Sequence, residues 1–171
     1  SFQSSLVPGY PGDISAYAAQ SRIRTASSGD PVLAWDGHGR LFVGFESSDN
    51  RDGTPKSFGD EAVATYESSG SSTINDGKRY VGTVAVAKGS AAPNYGGLFN
   101  DKTAIEVDRT GGANDGNVYF AWSRFTGVGI SNIYFVRSTD HGATFSKPQL
   151  LTTSTNNVQD PAIRVTGNGH V

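Results

Sequence analysis

Short apolar runs alternate with polar turns along most of the chain. Three runs of β-branched and aromatic residues are the clearest, Leu41–Phe45, Val118–Trp122 and Ile133–Val136. Gly, Asn, Asp or Ser bounds each run, which is the pattern of a β-strand between turns. The same criteria predict six further strands, at 32–35, 62–66, 80–87, 104–107, 149–152 and 162–165. We therefore predict an all-β protein.

One pattern recurs three times, at 30–36, 102–108 and 160–166: a short apolar strand, a Gly-rich turn and a second strand. The spacing leaves room for about four strands in each unit, which is the content of one propeller blade. We expect antiparallel four-stranded blades belonging to a ring of about six. The predicted division is an extended lead-in (1–29), a first blade (30–100), a second blade (101–152) and the start of a third (153–171).

Composition excludes several classes of function. The 171 residues carry 14 Lys and Arg against 16 Asp and Glu, a net charge of −2, which gives no electrostatic footprint for nucleic acid. The absence of Cys excludes disulfides, thiol nucleophiles and Cys-ligated zinc. No apolar stretch is long enough to span a membrane. A sequence that begins at Ser1 and contains no Met indicates a processed or excised product.

The most specific motif lies between two predicted strands and reads Ser-x-Asp-x-Gly-x-Thr-aromatic, from Ser138 to Phe145. Asp140 can accept hydrogen bonds from backbone N–H groups inside such a turn, Gly142 supplies positive φ, and the ring packs beneath. Residues 73–80 look like a degenerate copy in the first unit.

The motif resembles the Asp box, or BNR repeat, of the sialidase-like β-propellers, in particular secreted bacterial members. The resemblance covers residues 28–171 and implies an extracellular protein, secreted or at the cell surface, with a glycan or surface ligand. It also implies that the box residues are architectural and lie away from the substrate: Ser138, Asp140, Gly142, Thr144 and Phe145.

Sialidases place an Arg-Ile-Pro segment at the start of an inner strand, where the Arg binds the substrate carboxylate. The matching strand here reads Gly29-Asp30-Pro31, with Gly29 in the place of the Arg. By resemblance, the acid/base Asp would fall in the link 46–61, so Asp49 and Asp52 are the catalytic candidates. We favour the alternative that this link is a solvated, mobile acidic loop.

Two further sets of residues are candidates for ligand contacts. Asp30, Asp101 and Asp160 stand at strand starts, where they would either hold Ca²⁺ or, as we favour, cap backbone N–H groups. Tyr95, Phe99 and Arg124 lie in long links, where exposed rings could stack on a sugar or could instead hold the loop down.

The sequence thus favours a sialidase-like propeller acting in glycan or surface recognition, without catalysis by these blades. One alternative is a glycoside hydrolase whose catalytic Arg and Tyr/Glu residues lie in other blades. Another is a structural propeller that pairs through open edge strands with the rest of the ring or with another copy.

Overall fold

The computed structural model describes residues 6–10, 12–18, 27–49, 57–70, 77–90, 97–127, 130–154 and 157–171. Eight strands make up its regular structure. They are β1 (Ser27–Trp35), β2 (Leu41–Asp49), β3 (Ser57–Glu67), β4 (Arg79–Ala87), β5 (Leu98–Val107), β6 (Val118–Thr126), β7 (Ser131–Ser138) and β8 (Gln149–Leu150).

The strands form two antiparallel sheets, each with its strands in sequence order: β1-β2-β3-β4 and β5-β6-β7-β8. The prediction of an all-β chain with four-stranded antiparallel units is therefore confirmed. The segment at 162–165, which we predicted to be a strand, is not one in the structure, because no described strand pairs with its backbone. Its Ile163 is nevertheless buried against the second sheet, beside Tyr119 and Ile133.

The first strand of each sheet carries a bulge at the same point of the sequence repeat. The register shifts between Gly29 and Val32 in β1, and between Asp101 and Ala104 in β5. The residues inside these bulges that match in the repeat, Asp30 and Lys102, both have positive φ, at 47° and 63°. Asp160, their match in the third unit, has φ 58°. The repeat seen in the sequence is thus a repeat of backbone geometry.

The turn that ends each repeat is closed in the same way. The backbone N–H groups of Asp36, Asp108 and Thr166 each donate to a carbonyl beyond the turn, at 3.0, 2.9 and 2.9 Å. These residues occupy the same repeat position, so the backbone N–H that ends each repeated segment is satisfied by a carbonyl just beyond the turn.

The main hydrophobic core lies between the two sheets. Phe42 and Val63 of the first sheet pack with Phe120 and Trp122 of the second, and all four are fully buried. The sheets approach closely at Gly44, where an added Cβ would stand only 2.4 Å from a ring carbon of Phe120. The N-terminal segment packs on the opposite face of the first sheet, with Tyr17 edge-on to Tyr80 at 5.4 Å.

Candidate functional site

Five carboxylate side chains gather at the end of the sheets where β1, β3 and β5 begin and β2 finishes. We call this group the acidic cluster, and it consists of Asp30, Glu46, Asp60, Glu61 and Asp101. The negative charges of the other four all act on Glu61. Burial increases inward through the cluster. Asp30 is exposed and Asp101 is half-buried, whereas Glu46 and Glu61 have 1% and 0% of their surface exposed.

Glu46 and Glu61 stand directly opposite each other on β2 and β3. Like charges in this arrangement repel each other, and burial removes the water that would otherwise screen them. Burial first, and next the charge of Glu46, raises the pKa of Glu61 well above its ordinary range. Neither carboxyl oxygen of Glu61 has a hydrogen-bond partner in the described part of the chain. A fully buried polar group without a partner is unusual and costly.

Asp30 and Asp101 join the two sheets at the outer side of the cluster. Their carboxyl groups share a hydrogen bond, which, after burial, is the second largest cause that raises the pKa of Asp101. Asp101 also accepts a hydrogen bond from the backbone N–H of Lys102 at 2.9 Å. The negative charge of Asp30 raises the pKa of Asp101 further, so this contact joins two acidic groups from different sheets.

Asn100 organises a second group of polar side chains beside the cluster. Its Oδ1 accepts from Trp122 Nε1 at 2.7 Å and from Arg124 Nε at 2.9 Å, and its Nδ2 donates to the Gly59 carbonyl of the first sheet at 2.7 Å. The guanidinium of Arg124 lies 4.1 Å from the centre of the Tyr134 ring. Among the described carboxylates, none is within ion-pairing distance of Arg124. Arg124 is thus held over an aromatic ring by the hydrogen bond from its Nε to Asn100.

The position that would carry a sialidase arginine borders the acidic cluster. Glu46 Oε2 lies 3.3 Å from where a Cβ would stand on Gly29. A carboxylate-bearing sugar at this point would meet a carboxylate in place of a guanidinium, so the local charge disfavours an acidic ligand.

Several predicted site residues lie elsewhere than expected. Both ends of the link 46–61 belong to strands, because β2 continues to Asp49 and β3 begins at Ser57. Glu46 and Glu61 are therefore buried strand residues, and the expectation of a solvated acidic loop is wrong for them. The Phe99 ring is not exposed either, because Phe99 lies in β5 with only 4% of its surface accessible. Asp52 and Tyr95 lie outside the described residues, as does the first half of the degenerate motif at 73–80.

The structure describes all three strand-start aspartates. Asp30 and Asp101 meet, and the backbone N–H of Asp160 donates at 3.1 Å to Oγ of Ser123, which stands opposite Asp101 on β6. Within the described ranges, no group of three or more Asp, Glu, His or Cys side chains has an arrangement that could hold a metal ion. The calcium expectation thus has no support from the described geometry.

The Ser138–Phe145 turn at the other end of the sheets uses its polar groups internally. Asp140 Oδ1 accepts from Ser138 Oγ at 2.7 Å and from Thr144 N at 2.9 Å, while Oδ2 accepts from Thr144 Oγ1 at 2.6 Å. The Thr144 hydroxyl is the largest cause that lowers the pKa of Asp140. Gly142, at φ 82°, packs against Phe42 of the first sheet. This geometry is that of a structural turn.

Glu46 and Glu61 are the site residues that sequence reasoning missed. The signal available was strand alternation, since Glu46 lies two positions after the interfacial Gly44 and Glu61 two before the core residue Val63. Extending the period-2 pattern through the charged residues would have placed both carboxylates on the face that packs against the second sheet.

Comparisons with known proteins support the fold. No protein-family model matches the chain, and no curated protein sequence matches it. Sixteen chains among solved structures do match. One of them, titled "Hadza microbial sialidase Hz136", has a TM-score of 0.51 and 18% sequence identity, over 72% of this chain and 26% of that one. This chain thus has a sialidase-like fold and spans about a quarter of that structure's length. The described residues include no helix with the length and hydropathy needed to cross a membrane.

Proposed function

We propose that this chain is part of an extracellular sialidase-like β-propeller protein that recognises a glycan, with no catalysis by these two blades. The observation that carries the proposal is the end of the fold where β5 begins: Asp101 belongs to the acidic cluster, and Asn100, the residue before it, holds the guanidinium of Arg124 over the Tyr134 ring. Hydrogen-bond acceptors, a fixed guanidinium and an aromatic ring are the groups with which proteins bind sugar hydroxyls and sugar faces. The hydrogen bonds of the Ser138–Phe145 turn support its assignment as an Asp box.

Three features favour binding over hydrolysis. Glycoside hydrolysis needs two carboxyl groups that flank the scissile bond. Glu61 is wholly buried and cannot reach a substrate, whereas the carboxyl groups of Asp30 and Asp101 lie against each other and share a hydrogen bond. Gly29 supplies no guanidinium at the strand start. The carboxylates described at this end therefore offer polar contacts to a sugar, but they do not place an acid and a nucleophile on opposite sides of a bond.

The proposal is tested by measuring binding of the 171-residue chain to an array of neutral, amino and acidic oligosaccharides. Arg124→Ala should weaken the strongest binding about tenfold, because a charge-assisted hydrogen bond and the stacked surface are both lost. Arg109→Ala is the matched control. Arg109 is exposed, pairs with Glu106 and lies beyond the far end of β5. Equal effects of the two substitutions, or no binding to any oligosaccharide, would refute the proposal.

The glycoside hydrolase alternative makes a separate prediction for a protein that contains further blades. Such a protein would hydrolyse a fluorogenic glycoside, and Asp49→Ala or Asp52→Ala would abolish turnover. The partial coverage of the sialidase structure favours keeping this alternative. Turnover that survives both substitutions would exclude these two residues as the acid/base.

A further inference from the structure

We propose that the face of the second sheet that points away from the first sheet is the docking surface for a third antiparallel sheet of the same protein, with residues 160–166 as its first strand. A groove of about 750 Å³ lies on this face. We call it the outer groove, and the strand residues that line it are Tyr119, Ala121, Ile133, Phe135 and Arg137. The proposal rests on the proposed function only for the propeller architecture, and glycan binding plays no part in it.

The outer groove repeats a surface that is already covered in the first sheet. Because β1 and β5 match in the repeat, the residues that pair with them match as well. Strand pairing relates four residues of the first sheet to four of the outer groove: Phe42 to Tyr119, Gly44 to Ala121, Val63 to Phe135 and Thr65 to Arg137. The four in the first sheet are all buried at its contact with the second sheet. In the outer groove Phe135 is only half-buried, and Arg137 is exposed.

The segment 160–166 lies on this face as the first strand of the second sheet lies on the first sheet. Ile163 matches Ile105 in the repeat. Ile105 packs against the core between the two sheets, and Ile163 packs in the same way on Tyr119 and Ala121. The inter-sheet contact therefore begins a second time at the outer groove.

The backbone of this segment has unused hydrogen-bonding capacity. Its start is fixed to the second sheet, because Asp160 N donates to Ser123 Oγ at 3.1 Å. The backbone N–H groups of 162–165 have no hydrogen-bond partner in the described part of the chain. A row of unpaired backbone groups is a template for a further strand. The segment is thus held in position with one edge open.

The repeat also specifies what the next strand would place in the outer groove. Phe120 stands opposite Ile105, and its ring lies so close to Gly44 that an added Cβ there would be 2.4 Å away. The residue opposite Ile163 on an added strand would lie over Ala121 in the same way. Both positions carry small residues, so the outer groove has room for a large apolar side chain at this point.

Charge and coverage argue against a second copy of this chain as the occupant. The charged side chains among the described residues of the outer groove are Arg137 and Arg164, so a two-fold contact would bring like charges from both copies together. A head-to-tail contact would need the free face of the first sheet. Val7 and Tyr17 of the N-terminal segment already pack on that face.

The test extends the chain with a copy of its own second sheet. The extended protein consists of residues 1–170 followed by residues 118–152, because the turn that closes at His170 matches the turn that closes at Asn117. Alternate backbone amides within 162–165 should exchange hydrogen at least about 100-fold more slowly than in the 171-residue chain, since the added strand accepts their hydrogen bonds. Exchange as fast as in the 171-residue chain would overturn the proposal.

Two neighbouring residues of the appended copy provide matched variants, because successive side chains of a strand point to opposite faces. Phe120→Asp in the appended copy puts a charge into the outer groove and should abolish the slow exchange. Tyr119→Asp in the appended copy puts the charge on the far face and should preserve it. Equal effects of the two substitutions would contradict the docking of this face.

A peptide added in trans decides the question if the extended protein does not fold. The isotope-labelled 171-residue chain, titrated with a peptide of residues 118–126, should show amide NMR shifts at Phe135 and Ile163. A peptide with Phe120→Asp should cause none. Absence of shifts with millimolar unsubstituted peptide would refute the docking surface.

Sedimentation of the 171-residue chain alone tests the competing occupant. A monomer is expected at micromolar concentration, with fast exchange at 162–165. A dimer in which these amides exchange slowly would assign the outer groove to a second copy and overturn the proposal. Glycan binding is measured separately on the same chain, so failure here leaves the recognition of a glycan standing.

Discussion

Carboxylates at the two ends of the sheets have opposite environments. At the turn end, Asp140 accepts hydrogen bonds from three groups of its own turn, and its pKa is lowered. At the other end, Glu61 is buried among like charges with no hydrogen-bond partner among the residues that the structure describes, and its pKa is raised. A carboxyl group thus stabilises the fold at the turn end and destabilises it at the acidic end. Destabilising buried groups with shifted pKa values are typical of functional sites.

The largest expected effect is at the turn end. Gly142→Ala should lower the free energy of unfolding by about 3 kcal/mol, because φ is 82° and the new Cβ would stand 2.7 Å from Thr65 Oγ1 and 2.9 Å from a Phe42 ring carbon. Gly111→Ala is the matched control. Gly111 has a similar φ of 70° but nothing within 4 Å of the added Cβ, so it should lose only about 1 kcal/mol. Urea unfolding measures both, and equal losses would contradict the packing of this turn on the first sheet.

The hydrogen bonds of Asn100, which connect the two sheets, give the next largest effect. Asn100→Ala should lower the free energy of unfolding by about 2–3 kcal/mol, since it leaves the buried Trp122 Nε1 without an acceptor and the Gly59 carbonyl without its side-chain donor. Asn168→Ala, at an exposed turn, should cost less than about 0.5 kcal/mol. A loss below about 1 kcal/mol for Asn100→Ala would show that this network does not hold the sheets together.

Glu61→Gln is expected to stabilise the protein at neutral pH, by about 1–2 kcal/mol, through removal of a buried, unpaired acid. The pKa of Glu61 is raised in the folded state, so its stabilising contribution is present below the ordinary carboxyl pKa and is lost as pH rises toward the folded value. The variant should therefore gain most over the parent chain at neutral pH and least near pH 4.

Asp140→Asn gives the opposite pH dependence in the same assay. The lowered pKa of Asp140 contributes stability above the ordinary carboxyl pKa that is lost as pH falls. The difference between Asp140→Asn and the parent chain should thus shrink on acidification. Urea midpoints measured from pH 4 to pH 7 test both residues, and curves that run parallel to the parent's would refute the contrast between the two ends.

The smallest effect concerns a surface contact between the sheets. His38 Nε2 lies 2.8 Å from Asp115 Oδ2, and the histidine side chain is 58% exposed. His38→Ala should change the free energy of unfolding by less than about 0.5 kcal/mol, and 0.5 M salt should remove the difference. A loss above about 1 kcal/mol would show that this ion pair, and not the buried turn, joins the sheets at this end.

Much of the fold could be predicted from the sequence, because alternation and turn chemistry are local. Phe42, Phe120 and Val136 belong to short apolar runs that only a strand explains, and the repeat positions Asp30 and Asp160 share a backbone conformation as well as a pattern. The segment at 162–165 follows the same pattern but lacks a described partner strand. A strand depends on its neighbour as well as on its own residues.

The candidate site was less predictable for a physical reason. A run of acidic residues normally indicates a solvent-exposed segment, so Glu46 and Glu61 were assigned to a mobile loop. In the structure they belong to the strands β2 and β3. Phe99 was expected in a link, either exposed or holding the loop down, and it lies buried inside β5. The contact between Asp30 and Asp101 joins residues far apart in the chain, and only the packing of the two sheets brings them together.

The most direct test of the account maps the ligand on the protein. Backbone amide NMR signals, assigned in the 171-residue chain and titrated with the oligosaccharide that it binds most tightly, should shift at Asp101 and Arg124 and remain unchanged at Ser138–Phe145. Shifts confined to the Asp140 turn, or no shift at millimolar sugar, would contradict a ligand site at the acidic end.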